Sequence, residues 1–258
     1  MRNFSVNLIK FFIPPVLLLF IPSLIFYHIS KSKIDSKLDE VSEYQFLLMG
    51  DSQIQRLDGE IISKKTKNIS SPGEHYFFTY QKLLSILENK NHKIEKIILG
   101  VSIHNFAPVY NRLFDLNFPE GKKSLKRYIY FINQFENSNF ITSVNGILKL
   151  FIVAVWSTPD WGGFAISTNS MPSRAIIKET HNMHYSIKQN EEEFSYSQRL
   201  YLQKIDSLCL YNNINLILVS TPYHSLYKEK IDAKYFDFFT ESLRKLKHRT
   251  HLNYITDK

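Results

Sequence analysis

Gly50-Asp51-Ser52-Gln53 follows directly on the apolar run Phe46-Leu47-Leu48-Met49. Where such a run is a strand and the serine opens the next helix, Ser52 can act as a nucleophile. Its own backbone N–H is then free and the helix dipole stands behind it, and both favour an oxyanion developing on a bound carbonyl. The same residues also serve as ordinary helix caps. Acyl chemistry requires in addition a base within reach of the hydroxyl, itself oriented by a third group. Two histidines follow other apolar runs. His104 lies in Gly100-Val101-Ser102-Ile103-His104-Asn105, after Ile97-Ile98-Leu99, and His224 lies in Thr221-Pro222-Tyr223-His224, after Leu216-Ile217-Leu218-Val219. Thr221 rather than an acid stands three residues before His224, so that ring reads as a base, a substrate-binding group or a structural one. His181 and His184 have the i, i+3 spacing of a shared metal site, with Glu179 nearby, but no clear third ligand, and no metal or cofactor is expected.

The elements that must position these residues are legible as an alternation. The three apolar runs have strand length and the composition of strands buried on both faces, while Lys67–Ile69 and Leu252–Ile255 are weaker strand candidates. Between them, Tyr76, Phe77, Tyr80, Leu83, Leu84 and Leu87 share a helical face, as do Tyr201, Ile205 and Leu208, and Tyr235, Phe239, Leu243 and Leu246. This predicts an α/β fold: a three-layer α/β/α sandwich on a parallel, flavodoxin-like sheet of about five strands. Ligands of such sheets bind beyond the carboxyl ends of the strands, which puts Ser52, His104, Asn105 and His224 on one rim. Residues 106–195 break the rhythm and read as an insertion. Within it, Trp156 to Phe164 combines aromatics with Gly162 and Gly163, suiting either a sugar-binding lid carrying Trp161 or a packed turn.

From Phe11 to Ser30 no residue carries a formal charge, enough helix to span a bilayer. No small-x-small cleavage site follows, so residues 1–30 read as an uncleaved single-pass anchor and 31–43 as a polar stalk. The domain, 44–258, is then expected outside the cytoplasm because the N-terminal tail is so short. The 258 residues carry 32 basic and 24 acidic side chains, a net charge of +8. The excess is scattered over Lys64–Lys67, Lys122–Arg127 and Arg244–Arg249, which suits solvated faces, anionic lipid or an acidic glycan. No recognition motif supports nucleic acid. The lone Cys209 excludes an internal disulfide framework or a Cys-rich metal site.

Phe46–Gln53 resembles the first block of the SGNH/GDSL hydrolase superfamily. More specifically, 44–108 and 195–256 look like the membrane-anchored, extracytoplasmic SGNH-like proteins of bacterial envelope-polysaccharide loci. The resemblance implies an esterase or O-acyltransferase acting on acyl, typically acetyl, esters of an envelope or exported polysaccharide. It implies Ser52 as nucleophile, with Ser52 N–H, Gly73 N–H and Asn105 as the oxyanion hole and His104 beside the substrate. Gly73 fits the second block or serves only a turn, and Asn105 departs from the usual Gly-x-Asn spacing. The superfamily's Asp-x-x-His after the last strand does not occur. His251-Leu252-Asn253 lies at the start of that strand, the wrong end of the sheet. Either the chain is truncated, or the fold is kept for glycan binding or assembly beside a membrane acyl-donor protein.

Overall fold

The computed structural model describes residues 2–115, 117–128, 161–165, 173–188, 191–247 and 250–253. The chain begins with a continuous helix, α1 (Arg2–Ser42), and then enters an alternation of strands and helices. In order these are β1 (Phe46–Met49), α2 (Ser52–Gln55), α3 (Gly59–Ile62), β2 (Thr66–Asn68), α4 (Tyr76–Leu87) and β3 (Lys96–Gly100). A 3-10 turn (Ile103–Phe106), α5 (Val109–Phe114), α6 (Pro119–Tyr128) and α7 (Arg174–Tyr185) follow. The chain then forms α8 (Tyr196–Tyr211), β4 (Asn215–Ser220), α9 (Ser225–Lys228), α10 (Ala233–Arg244) and β5 (Thr250–Asn253). All strand pairs are parallel and the sheet order is β2-β1-β3-β4-β5. This is an α/β fold with a parallel sheet flanked by helices.

The strands form where the apolar runs stand because β1 and β3 lie in the middle of the sheet. Leu47, Leu48, Met49, Ile97 and Leu99 are all fully buried, which explains runs without polar alternation. The weaker candidate, β2, is an outer strand held by a polar device. Asn68 Nδ2 donates to Ile54 O at 2.9 Å and Leu57 O at 2.8 Å, pinning the β1–β2 connection to the strand.

Two expectations change. Residues 31–43 are not a free stalk: Ser30, Ile34, Leu38 and Val41 form a buried stripe at helical spacing, and the last three join the main core. Lys93 N–H donates to Ser42 O at 2.8 Å and Lys67 reaches Glu40 at 2.9 Å, so the end of α1 is built into the domain. On α4 the buried face is broader than the apolar positions suggest. Tyr80, Leu84 and Leu87 are only half-buried, whereas Phe78, Lys82 and Ile86 are fully buried, because α4 packs against both α1 and α8. Trp156 and the rest of 129–160 lie outside the described residues. No helix among the described residues is long and apolar enough to cross a membrane; half of the uncharged run's side chains lie outside them.

Ile34→Ala should lower the stability of the full chain by about 2–4 kcal/mol, as removal of a fully buried aliphatic side chain does. The same change at exposed Ile29 should cost less than about 0.5 kcal/mol. Equal unfolding midpoints for the two variants would return 31–43 to the status of a stalk.

Candidate active site

The chain steps from β1 to β2 on one side and then returns past β1 to β3 on the other. The crevice beyond β1 and β3 is therefore the topological switch point, where open α/β sheets bind ligands. Two segments meet there. After β1, Asp51 caps α2 by accepting Gln53 N–H at 2.9 Å, and Ser52 is the first helical residue, half-exposed. After β3, Ser102 to Phe106 turns tightly, with Asn105 Oδ1 accepting Ser102 N–H at 2.7 Å. The approach is close because Gly100 has no side chain; a Cβ there would lie 2.2 Å from Ile54 Cγ1 of α2.

Asp51 is the hub. Its Oδ2 accepts His104 Nε2–H at 2.9 Å, Asn105 Nδ2–H at 2.8 Å and Tyr110 Oη–H at 3.4 Å, and it is 3% exposed. Burial alone would raise its pKa, but the hydrogen bond and charge of His104, with the Gln53 and Asn105 bonds, lower it to about 2. An ionised carboxylate only accepts, so His104 Nε2 carries a hydrogen and Nδ1 faces Tyr223 Oη at 3.3 Å. His184 of α7 stacks on His104 with ring centres 4.8 Å apart, and its Nδ1 bonds Tyr227 Oη. Burial, reinforced by His104, lowers the His184 pKa to about 3. His75, buried at the start of α4, is also lowered to about 3 by burial.

The structure brings Ser52, His104 and Asn105 to one rim but gives them different surroundings. No described side chain hydrogen-bonds the Ser52 hydroxyl. The Asn105 carboxamide is saturated. Besides Asp51 and Ser102 N–H it meets Tyr110 Oη and Tyr76 Oη, each at 3.0 Å. His104, expected beside substrate, is buried and bonded to Asp51. His224 is exposed on the same rim, where its Nδ1 accepts Leu226 N–H and caps α9. Gly73 turns with φ +63° at the rim after β2. His181 and His184 face different partners, Lys230 O and Tyr227 Oη, and no described group of three His, Cys, Asp or Glu could hold a metal.

The aromatic–glycine segment contributes a strap, residues 161–165, laid across the rim. Gly163 N–H donates to Ser70 O at 2.8 Å and Ala165 N–H to Gln55 O at 3.1 Å, tying the loop after β2 to the end of α2. Gly162 sits at φ +72°, where a Cβ would come within 2.0 Å of Ser70 O and 2.3 Å of Ser71 Oγ. Trp161 is half-buried against the core and Phe164 is exposed. Beneath the strap lies a feature the sequence reading missed, the Lys82–Glu74 ion pair at 2.6 Å with both side chains fully buried. Lys82 Nζ also donates to Ile69 O at 3.0 Å and lies 3.4 Å from Trp161 O. The available signal was a lysine on the Phe78/Ile86 stripe of α4, four residues from each.

The arrangement offers a half-exposed serine beside a buried carboxylate–imidazole pair, with helical and turn N–H groups around the crevice. The chain matches no family model, no curated protein and no solved structure.

Asp51 is more acidic folded than the usual 3.8, so its contribution is present above about pH 4 and is lost as pH falls towards 2. Asp51→Asn should therefore destabilise the chain by about 2 kcal/mol at neutral pH, with the difference from wild type closing near pH 2 in thermal melts. His75 and His184 are depressed instead. Their contribution is complete above about pH 6.5 and shrinks as pH falls towards 3, so His184→Gln should flatten the decline in that upper window. Gly162→Ala should cost at least about 1–3 kcal/mol and speed hydrogen exchange at Gly163 and Ala165, through steric and backbone strain.

Proposed function

We propose that this chain is a membrane-anchored, SGNH-like esterase or O-acyltransferase acting on acyl, chiefly acetyl, esters of a cell-envelope or exported polysaccharide, with α1 as its anchor and the domain outside the cytoplasm. The observation that carries this reading is the position of Ser52: half-exposed, unengaged, first in a helix at the switch point, with the Asp51–His104 pair behind it. Ser52 Oγ attacks the ester carbonyl carbon, and its proton passes to a rim histidine. In this reading the base is His224, which is exposed on the same rim with its Nδ1 capping α9. The tetrahedral oxyanion is held by Ser52 N–H and Gly73 N–H. Collapse expels the sugar oxygen, which takes up the proton, and leaves an acyl-serine. Water or a second hydroxyl then removes the acyl group.

A second reading, a glycan-binding or assembly protein that retains the fold without turnover, is favoured by two observations. The Asn105 amide is saturated, and no described histidine bonds Ser52. The two separate in one experiment on the full chain in detergent. An ester-hydrolysing serine reacts with a fluorophosphonate probe and cleaves 4-nitrophenyl acetate, and Ser52→Ala removes the labelling and lowers turnover by about 1,000-fold or more. Equal labelling and equal rates for wild type and variant would establish the binding reading in its place.

A further inference from the structure

The direction in which α1 leaves the domain follows from its neighbours. Asn89, just past the end of α4, donates to Ser42 Oγ at 3.1 Å, and Lys93 N–H donates to Ser42 O. The last turns of α1 and α4 thus lie together, at the edge of the sheet where β1 and β3 begin. The first turn of α4 lies at the opposite edge: Tyr76 Oη reaches Gly100 O, the end of β3, at 2.9 Å. The two helices pack side by side and run the same way. Ser30 precedes Ser42 by twelve residues, about 18 Å of helix, which matches the twelve residues of α4. Ser30, the first residue of the buried stripe, is therefore level with the start of α4 and with the rim that carries Ser52 and Asn105.

Above that level the described side chains of α1 include a run of exposed apolar groups. Ile21, Leu24, Ile25, Tyr27 and Ile29 are all exposed, and the uncharged run ends at Ser30. Charge agrees with this direction. Lys31 and Lys33 follow at once, where headgroups of a spanning helix would lie. On the same rim, Arg127 of α6 donates to Pro72 O at 2.8 Å.

We infer that the Ser52 rim faces the bilayer, so that the substrate is an ester on a membrane-borne amphiphile, a lipid-linked glycan with its acylated sugar near headgroup depth, rather than a released polymer. The inference rests on α1 as the anchor and on Ser52 as the reacting group. It follows from the helix being docked rather than stalked: Tyr27 is only three residues from Ser30, about 5 Å along the axis, so the rim cannot turn away from the surface.

The test uses the full chain with Cys209→Ser in phosphatidylcholine–phosphatidylglycerol vesicles. Ser225→Cys labels the rim after β4 and Asn91→Cys labels the opposite edge, before β3; both positions are exposed. Each carries a fluorophore, and nitroxide is attached to the lipid headgroups. Ser225 should be quenched several times more strongly than Asn91. Equal or reversed quenching would overturn the orientation. Chain that carbonate strips from the vesicles would overturn the anchor and the inference with it. An insertion of about 16 Gly/Ser residues between His28 and Ile29, reaching about 22 Å, should bring the two signals together. In the same vesicles, wild type should prefer a coumarin acetate tethered to a lipid headgroup over soluble 4-nitrophenyl acetate, and the insertion should remove that preference. Hydrolysis of both with no preference in wild type would overturn the substrate class. Hydrolysis of neither would overturn the enzymatic reading and with it the substrate class, while quenching still decides which way the rim faces.

Discussion

A carboxylate buried at the end of a central strand must collect donors from whatever surrounds it, because an unpaired buried charge costs several kcal/mol. Asp51 collects them from separate parts of the chain: Gln53 in its own helix, His104 and Asn105 after β3, and Tyr110 in α5. The partners of those partners extend the constraint. Asn105 fixes Tyr76 at the start of α4, and His104 fixes Tyr223 after β4. Loops after three strands and the start of a core helix are therefore set by one side chain. The rim is thereby shaped by the fold alone, the kind of preorganisation the proposed serine chemistry would need.

The same device recurs where the insertion returns to the sheet. Lys82, buried beneath the strap, bonds Glu74 and the Ile69 carbonyl and approaches the carbonyl of Trp161. Arg112, also buried, pairs with Glu191 at 3.1 Å and donates to Met183 O and Ser186 O, closing the carbonyl end of α7. Both cations thus hold segments of 106–195 by their backbone carbonyls. A buried ion pair contributes little net stability against an apolar replacement, but breaking one partner leaves a charge unmet. These pairs accordingly act as locks on position: one holds the start of the strap beside the loop after β2, and the other holds α7 so that His184 lies over His104.

The central strands were legible because burial on both faces leaves an uninterrupted apolar run, and the rim followed from strand direction alone. Ser52, His104 and Asn105 could thus be grouped before any contact was known. Their chemistry could not. Whether His104 meets substrate or Asp51 is decided by a turn that folds a residue 53 positions away onto the same carboxylate. Residues 31–43 were misread for a related reason. Ile34, Leu38 and Val41 form a sparse stripe among charged residues, and only the packing of α4 shows that the stripe is covered. Lys82 and Glu74 show the limit most clearly, since each looks solvated until its partner and the strap are placed.

For the proposed reaction, the saturation of Asn105 constrains which groups could hold an oxyanion. Its Nδ2 has two hydrogens, one committed to Asp51 and one to Tyr110. Turning that amide towards an oxyanion would strip a donor from a buried carboxylate held near pKa 2, at a cost of about 1–3 kcal/mol before any catalytic gain. The backbone N–H of Ser52 carries no such commitment, since Asp51 Oδ1 is met by Gln53 instead. Gly73, at φ +63° and with only Leu113 Cδ1, at 3.9 Å, near the place of a side chain, can approach a ligand by its backbone. An oxyanion in this crevice is therefore better met by main-chain donors, while Asn105 keeps the carboxylate in place. The turn after β3 thus places the Asn105 amide as a support for Asp51.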